Sequence, residues 1–225
     1  MGAISLEKSQ QMYWLGRYTE RVFTTMQSYL LLFDETVDER QVIYDKFCAS
    51  LGIPDVYGTQ AAFFEQYLFD AQNPNSIVSS LERAFDNAVV LRDEISSESL
   101  SYIHLAMEQL QMARTSKERL LDLQVVIDYL YAFWGSVDDC ADSELCRNLI
   151  KCGRYIERLD LYIRLQYPHK DVEKAYYKLH GRIRKSGLLY NEAQLEYLGQ
   201  YAALETLSAE NRVAMLESLA MLFVI

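Results

Sequence analysis

One string, Gly-Arg-Tyr-x-Glu-Arg, occurs twice in this chain, at residues 16–21 and again at 153–158. Each copy sits inside the same apolar pattern. Met12, Leu15, Thr19, Val22 and Met26 are followed 137 positions later by Leu149, Cys152, Ile156, Leu159 and Ile163. Steps of three and four keep such a series on one face of an α-helix. The repeat therefore predicts two long amphipathic helices, near 4–33 and 142–167, that present matching faces to one core.

The rest of the chain offers little else but helix. Three prolines and nine glycines in 225 residues are too few for the tight turns of a sandwich or barrel. The fold class is read as all-α: one bundle of about nine to ten helices over residues 1–225, with the two repeated helices at its centre. The further helices are expected near 39–51, 61–69, 77–95, 100–112, 115–134, 169–185, 192–204 and 209–223. Asn73, Pro74, Asn75 and Ser76 supply a turn and an N-cap, and Thr115 with Glu118 makes a capping box. Half the residues are apolar, enough for a sizeable core.

A formal net charge of −10 argues against a nucleic-acid binder, whose affinity rests on clustered Lys and Arg. No run approaches the roughly 18 apolar residues of a membrane span. The N-terminus lacks the apolar stretch of a signal peptide, so a cytoplasmic protein is expected. Cys140, Cys146 and Cys152 follow one another in steps of six, each rotated about 240° on a helix, and cannot converge on one ion. With Cys48 they read as buried, reduced thiols. His104, His169 and His180 form no metal-ligand pattern, so neither metal nor cofactor is expected. Phosphate loops and nucleophile elbows are missing, and the chain reads more as a non-enzyme than an enzyme.

The motif itself carries the candidate site. On a helix Tyr13, Arg17, Glu20 and Thr24 share a stripe beside the apolar one, as do Ile150, Arg154, Glu157 and Leu161. If the two helices pack about a pseudo-twofold axis, Arg17 and Arg21 meet Glu157 while Arg154 and Arg158 meet Glu20. Gly16 and Gly153 would allow the close approach. Tyr18 and Tyr155 lie within the motif and either pack or hydrogen-bond into it.

Two readings of this cluster stand side by side. Its excess guanidinium charge would suit a small carboxylate or phosphate ligand, with Glu20 and Glu157 as candidate acid and base. Alternatively, Asp160 or Asp34 completes a purely structural network. A second candidate surface is a basic row at Lys170, Lys174, Lys178, Arg182 and Lys185, suited to docking an acidic protein partner or simply solvated. Self-association into a homo-oligomer is a third expectation.

Residues 12–21, Met-Tyr-Trp-Leu-Gly-Arg-Tyr-Thr-Glu-Arg, resemble the N-terminal signature of the bacterial alpha-E domain family. The second copy, with Asp160 and Arg164 beyond it, is similar to that family's later signature. Asn73 to Ile77, Ser80 to Ala84, Asn87-Ala88, Arg92 and Ile95 to Glu98 agree in between. The chain departs from the family pattern at Gln10, Gln11, Phe85, Val89, Leu100 and His104. The resemblance implies a helical protein whose genes lie beside those for ATP-grasp ligases and transglutaminase-like proteins. It implies an accessory role in peptide or amide-bond synthesis and modification. An amide-forming or amide-cleaving enzyme and a structural oligomer-forming bundle are the alternatives.

Overall fold

The computed structural model describes residues 5–37, 44–54 and 56–223, with side chains throughout except at 34–37. These residues form eleven α-helices and one 3-10 turn, with no β-strand among them. The fold class is all-α. The helices are α1 (Leu6–Val37), α2 (Tyr44–Leu51), α3 (Gln60–Gln66), α4 (Ile77–Val90), α5 (Arg92–Ile95), α6 (Ser97–Ala113), α7 (Arg119–Cys140), α8 (Glu144–Arg164), α9 (His169–Ile183), α10 (Glu192–Ala202) and α11 (Ala209–Ala220). The expected starts at Ile4 and Glu39 lie outside the described residues.

Local chemistry explains most boundaries. The Ser76 hydroxyl caps α4 by accepting from Ser79 N, and Ser96 caps α6 by accepting from Ser99 N. The stretch expected as one helix over 77–95 is broken at Leu91, the cap between α4 and α5. The capping box at Thr115 does not form. Helix α7 starts at Arg119, Ser116 Oγ accepts from Glu118 N, and the helix runs on to Cys140 rather than stopping near Trp134. Helix α8 ends with Gln166 in the left-handed region (φ 56°), and Tyr167 N donates to Tyr162 O. The rings of Tyr162 and Tyr167 stack 4.1 Å apart, the apolar contact that accompanies this type of stop. Pro168 then caps α9.

The chain divides into two compact units, residues 1–20 with 144–225, and residues 21–143. In the first, Tyr13 of α1 joins Cys152, Ile156, Leu159 and Ile163 of α8 and buried residues of α9, α10 and α11 in one apolar core. In the second, Tyr29, Phe47, Phe63 and Tyr67 build an aromatic cluster, with Phe63 stacked on Tyr67 at 5.0 Å. The tyrosine hydroxyls find partners at its rim, Tyr29 donating to Phe64 O and Tyr67 to Asn75 O. Helices α6 and α7 form a hairpin pinned by the Ser99 and Ser136 hydroxyls, 2.9 Å apart.

Helix α7 alone among the described helices is long and apolar enough to cross a membrane, by length and composition only. Leu123, Val126, Ile127, Leu130, Phe133 and Val137 along it are buried in the protein, as in a core helix. None of the four cysteines forms a disulfide, and three are buried as expected. Cys140 is exposed. It is the last residue of α7, where the helix has run past the core.

A glycine-gated Arg/Glu clasp between two repeated helices

The stripe of α1 predicted from its spacing is buried, with Met12, Leu15, Thr19, Val22 and Met26 all fully enclosed. Its counterpart on α8 is buried too. Where the two helices meet, no side chain separates their backbones. A Cβ placed on Gly16 would collide with Ile150 O and stand 2.8 Å from Arg154 N. One placed on Gly153 would collide with Tyr13 O and stand 3.2 Å from Arg17 N. Because Ile150 and Arg154 are the repeat mates of Tyr13 and Arg17, the contact maps onto itself under the 137-residue shift. That is the signature of a pseudo-twofold axis.

The charges follow the same symmetry. Arg17 Nε donates to Glu157 Oε2 at 2.7 Å, and Arg154 Nε donates to Glu20 Oε2 at 3.1 Å. Arg158 adds a fork to Glu20, through Nε at 2.5 Å and Nη2 at 2.8 Å. Both glutamate side chains are wholly buried, while the arginines stay 12 to 23% exposed. A carboxylate that deep is tolerated only where charged donors replace its lost water.

Burial disfavours the cation of all three arginines. For Arg17 the attraction and hydrogen bond of Glu157 outweigh that cost, and its pKa rises. Arg158 is likewise raised by Glu20. Arg154 is lowered, because burial and the repulsion of the Arg158 charge outweigh the attraction of Glu20. All three remain cations, since guanidinium does not lose its proton in proteins.

The remaining candidate residues take other places. Arg21 is the first residue of the second unit, half-buried, and its charge acts on the buried Tyr67 hydroxyl. Tyr18 stacks on Trp14 at 5.5 Å. The Tyr155 ring has Arg154 and Arg158 each 5.7 Å from its centroid and Lys178 Nζ at 5.4 Å. Asp160 takes Arg164 as its partner at 2.7 Å, one turn along α8, and also acts on Arg17 through space. The side chain of Asp34 lies outside the described residues.

Of the basic row along α9 and just beyond it, Lys170, Lys174, Lys178 and Lys185 are exposed. Arg182 is not free: its Nη1 donates to Asn148 Oδ1 of α8 at 3.0 Å, and Lys185 lies 3.8 Å from Glu144. Burial, together with Arg158, Lys174 and Arg154, lowers the pKa of Lys178.

Sequence reasoning missed a cleft of about 390 Å³ beside the clasp, lined by Tyr13 and Arg17 of α1, Asp160 and Arg164 of α8, and apolar residues of α11. Arg164 was visible only as the tail of the second motif copy. The α11 wall lies too far along the chain for spacing to place it there.

Two matching helices locked by glycine contact and reciprocal Arg-Glu pairs define an all-helical domain built on a doubled Glu-Arg motif. Residues 9–211 match the model of the Alpha-E family, a predicted alpha-helical domain with a conserved ER motif. The chain belongs to that family. Neither the curated proteins nor the solved structures yield a significant match.

Proposed function

We propose that this protein is a non-catalytic, partner-binding member of a cytoplasmic bacterial system that forms or modifies peptide amide bonds. In this reading it acts with an ATP-grasp ligase or a transglutaminase-like protein, and its doubled motif is a structural clasp. The observation that carries the clasp reading is the state of the two glutamates. Glu20 and Glu157 are fully enclosed, and each accepts guanidinium N–H groups across the helix pair. An acid or base must come within hydrogen-bond reach of the proton it moves. A carboxylate sealed behind arginines is a poor candidate for that work and a good one for fixing helix register.

The exposed row of Lys170, Lys174 and Lys178 is the surface we assign to the partner, because it stands out on a chain of net charge −10 and would steer an acidic protein toward α9. Co-expression with the ATP-grasp and transglutaminase-like proteins encoded nearby, followed by co-purification, tests this directly. The expected result is a complex that weakens when Lys170, Lys174 and Lys178 are together replaced by Glu. Failure to co-purify with either protein would sink the partnership. Amide-forming activity of the isolated chain that vanishes in Glu157→Gln, with the fold retained, would replace the clasp by an acid–base site.

A further inference from the structure

The cleft beside the clasp has the makings of a ligand site. Three helices contribute to it. Ile156, Asp160 and Arg164 recur every fourth residue on α8, Tyr13 and Arg17 do so on α1, and Leu219 and Phe223 form part of an apolar wall at the end of the chain. At about 390 Å³ the space matches a small organic molecule.

Both arginines in the cleft meet their carboxylate partners through Nε: Arg17 on Glu157, and Arg164 on Asp160. The Nη1 and Nη2 amines, the edge that grips a carboxylate with two parallel bonds, are not spent on those carboxylates. Arg158 differs, committing Nε and Nη2 together to Glu20. The arginine side chains in the cleft are 23% and 37% exposed, so a solute can reach them.

We propose that this cleft binds a small carboxylate carrying a branched apolar body, with the carboxylate on Arg17 and Arg164 and the body against Leu219 and Phe223. Neither the protein partner nor the register role of the clasp is required for it. Glu157 and Asp160 already offset the two guanidinium charges, so affinity comes from directed hydrogen bonds and apolar contact rather than from net field. An anion in the cleft is repelled by the nearby Asp160 carboxylate, and removing that charge also frees Arg164 Nε.

The test uses 4-methylpentanoate as probe, titrated calorimetrically and by amide NMR shifts into the full chain up to roughly 10 mM. Saturable binding with shifts confined to α1, α8, α11 and the residues around Phe223 is expected. The neutral 4-methylpentanamide, equal in shape, and acetate, equal in charge, should each bind at least about tenfold more weakly, as expected when charge-assisted bonds and apolar contact both count. Arg164→Gln should weaken the probe about tenfold, and Arg164→Lys, which keeps the charge but loses the fork, by less. Asp160→Asn should tighten it several-fold. Because Arg164 pairs with Asp160 at a partly exposed site, all three variants keep the fold, which circular dichroism verifies. No saturable signal, equal binding of the amide, an unchanged affinity in Arg164→Gln, or weaker binding in Asp160→Asn would each overturn the proposal.

Discussion

Replacing Gly16 by Ala adds a single methyl group and tests the whole account of the clasp. The new Cβ would overlap Ile150 O and stand 2.8 Å from Arg154 N, and both are backbone atoms that no rotamer change can move. The helices must therefore part by about an ångström, and overpacking of this kind costs about 1–3 kcal/mol. Separation also stretches the bonds of 2.7 to 3.1 Å that hold Glu157 and Glu20. A buried charge deprived of its partner costs about 3–5 kcal/mol, of which a small shift forfeits part. Against this stands a gain of about 1 kcal/mol from replacing a helical glycine by alanine.

The net loss is about 2–5 kcal/mol, or a fall in Tm of roughly 4 to 20 °C for a chain of this size. Urea unfolding followed at 222 nm measures it. Gly135 and Gly181, also helical, have open space where their Cβ would stand, so the same change there should stabilise by up to about 1 kcal/mol. Opposite signs for one chemical substitution are the expected result. If Gly16→Ala lies within about 0.5 kcal/mol of the parent or matches Gly135→Ala, the helices are not in backbone contact and the reasoning fails. Gly153→Ala should repeat the loss, and the double variant should cost less than the sum, because one separation relieves both overlaps.

Three other outcomes follow from the same geometry. Glu20→Gln leaves Arg154 and Arg158 with a neutral acceptor in a buried setting, and calorimetric melting should show a loss of about 3 kcal/mol or more; a change below about 1 kcal/mol would contradict the clasp. Burial pushes the Cys152 thiol from 9.0 up to about 12. Below pH 9 both folded and unfolded thiols are protonated; above it only the unfolded one ionises. Urea stability should therefore fall by about 1.4 kcal/mol per pH unit from this group between pH 9 and about 12, a slope that Cys152→Ala removes. Under native conditions at pH 8, thiol alkylation should modify Cys140 first, with Cys48, Cys146 and Cys152 protected until unfolding; mass spectrometry of the labelled peptides decides, and rapid labelling at Cys152 would refute its burial.

Much of this arrangement was legible in the chain because it depends on local period and on repetition. The faces of α1 and α8 follow from steps of three and four, and the shared offset of 137 residues places Arg17 opposite Glu157 without any knowledge of the intervening helices. Ser76 was readable as a cap because its hydroxyl bonds within three residues. What failed were features decided by neighbours elsewhere. Thr115 had the local pattern of a cap, yet the turn at Ser116 and Glu118 starts α7 four residues later. Cys140 had the character of a buried residue, but tertiary packing ends before the helix does. The cleft joins Tyr13, Arg164 and Phe223, three positions whose proximity no spacing encodes.

The components of the motif depend on one another, which explains why they recur as a unit. Glycine lets the backbones touch, and that contact encloses the glutamate one turn along, which must then be met by guanidinium groups from the facing helix. Without the glycine the glutamate would be hydrated and the arginine would contribute no more than a surface pair, about 0–1 kcal/mol. Without the arginines the glycine contact would bury an unpaired charge. The two halves of the clasp are nonetheless unequal. Glu20 engages Arg158 as a fork and Arg154 through Nε, and the two arginines shift in opposite directions, since on Arg154 burial and the repulsion of Arg158 outweigh the pull of Glu20. Arg17 meets Glu157 through Nε and lines open space, so a symmetric structural device gains a ligand edge on the side where α11 supplies an apolar wall.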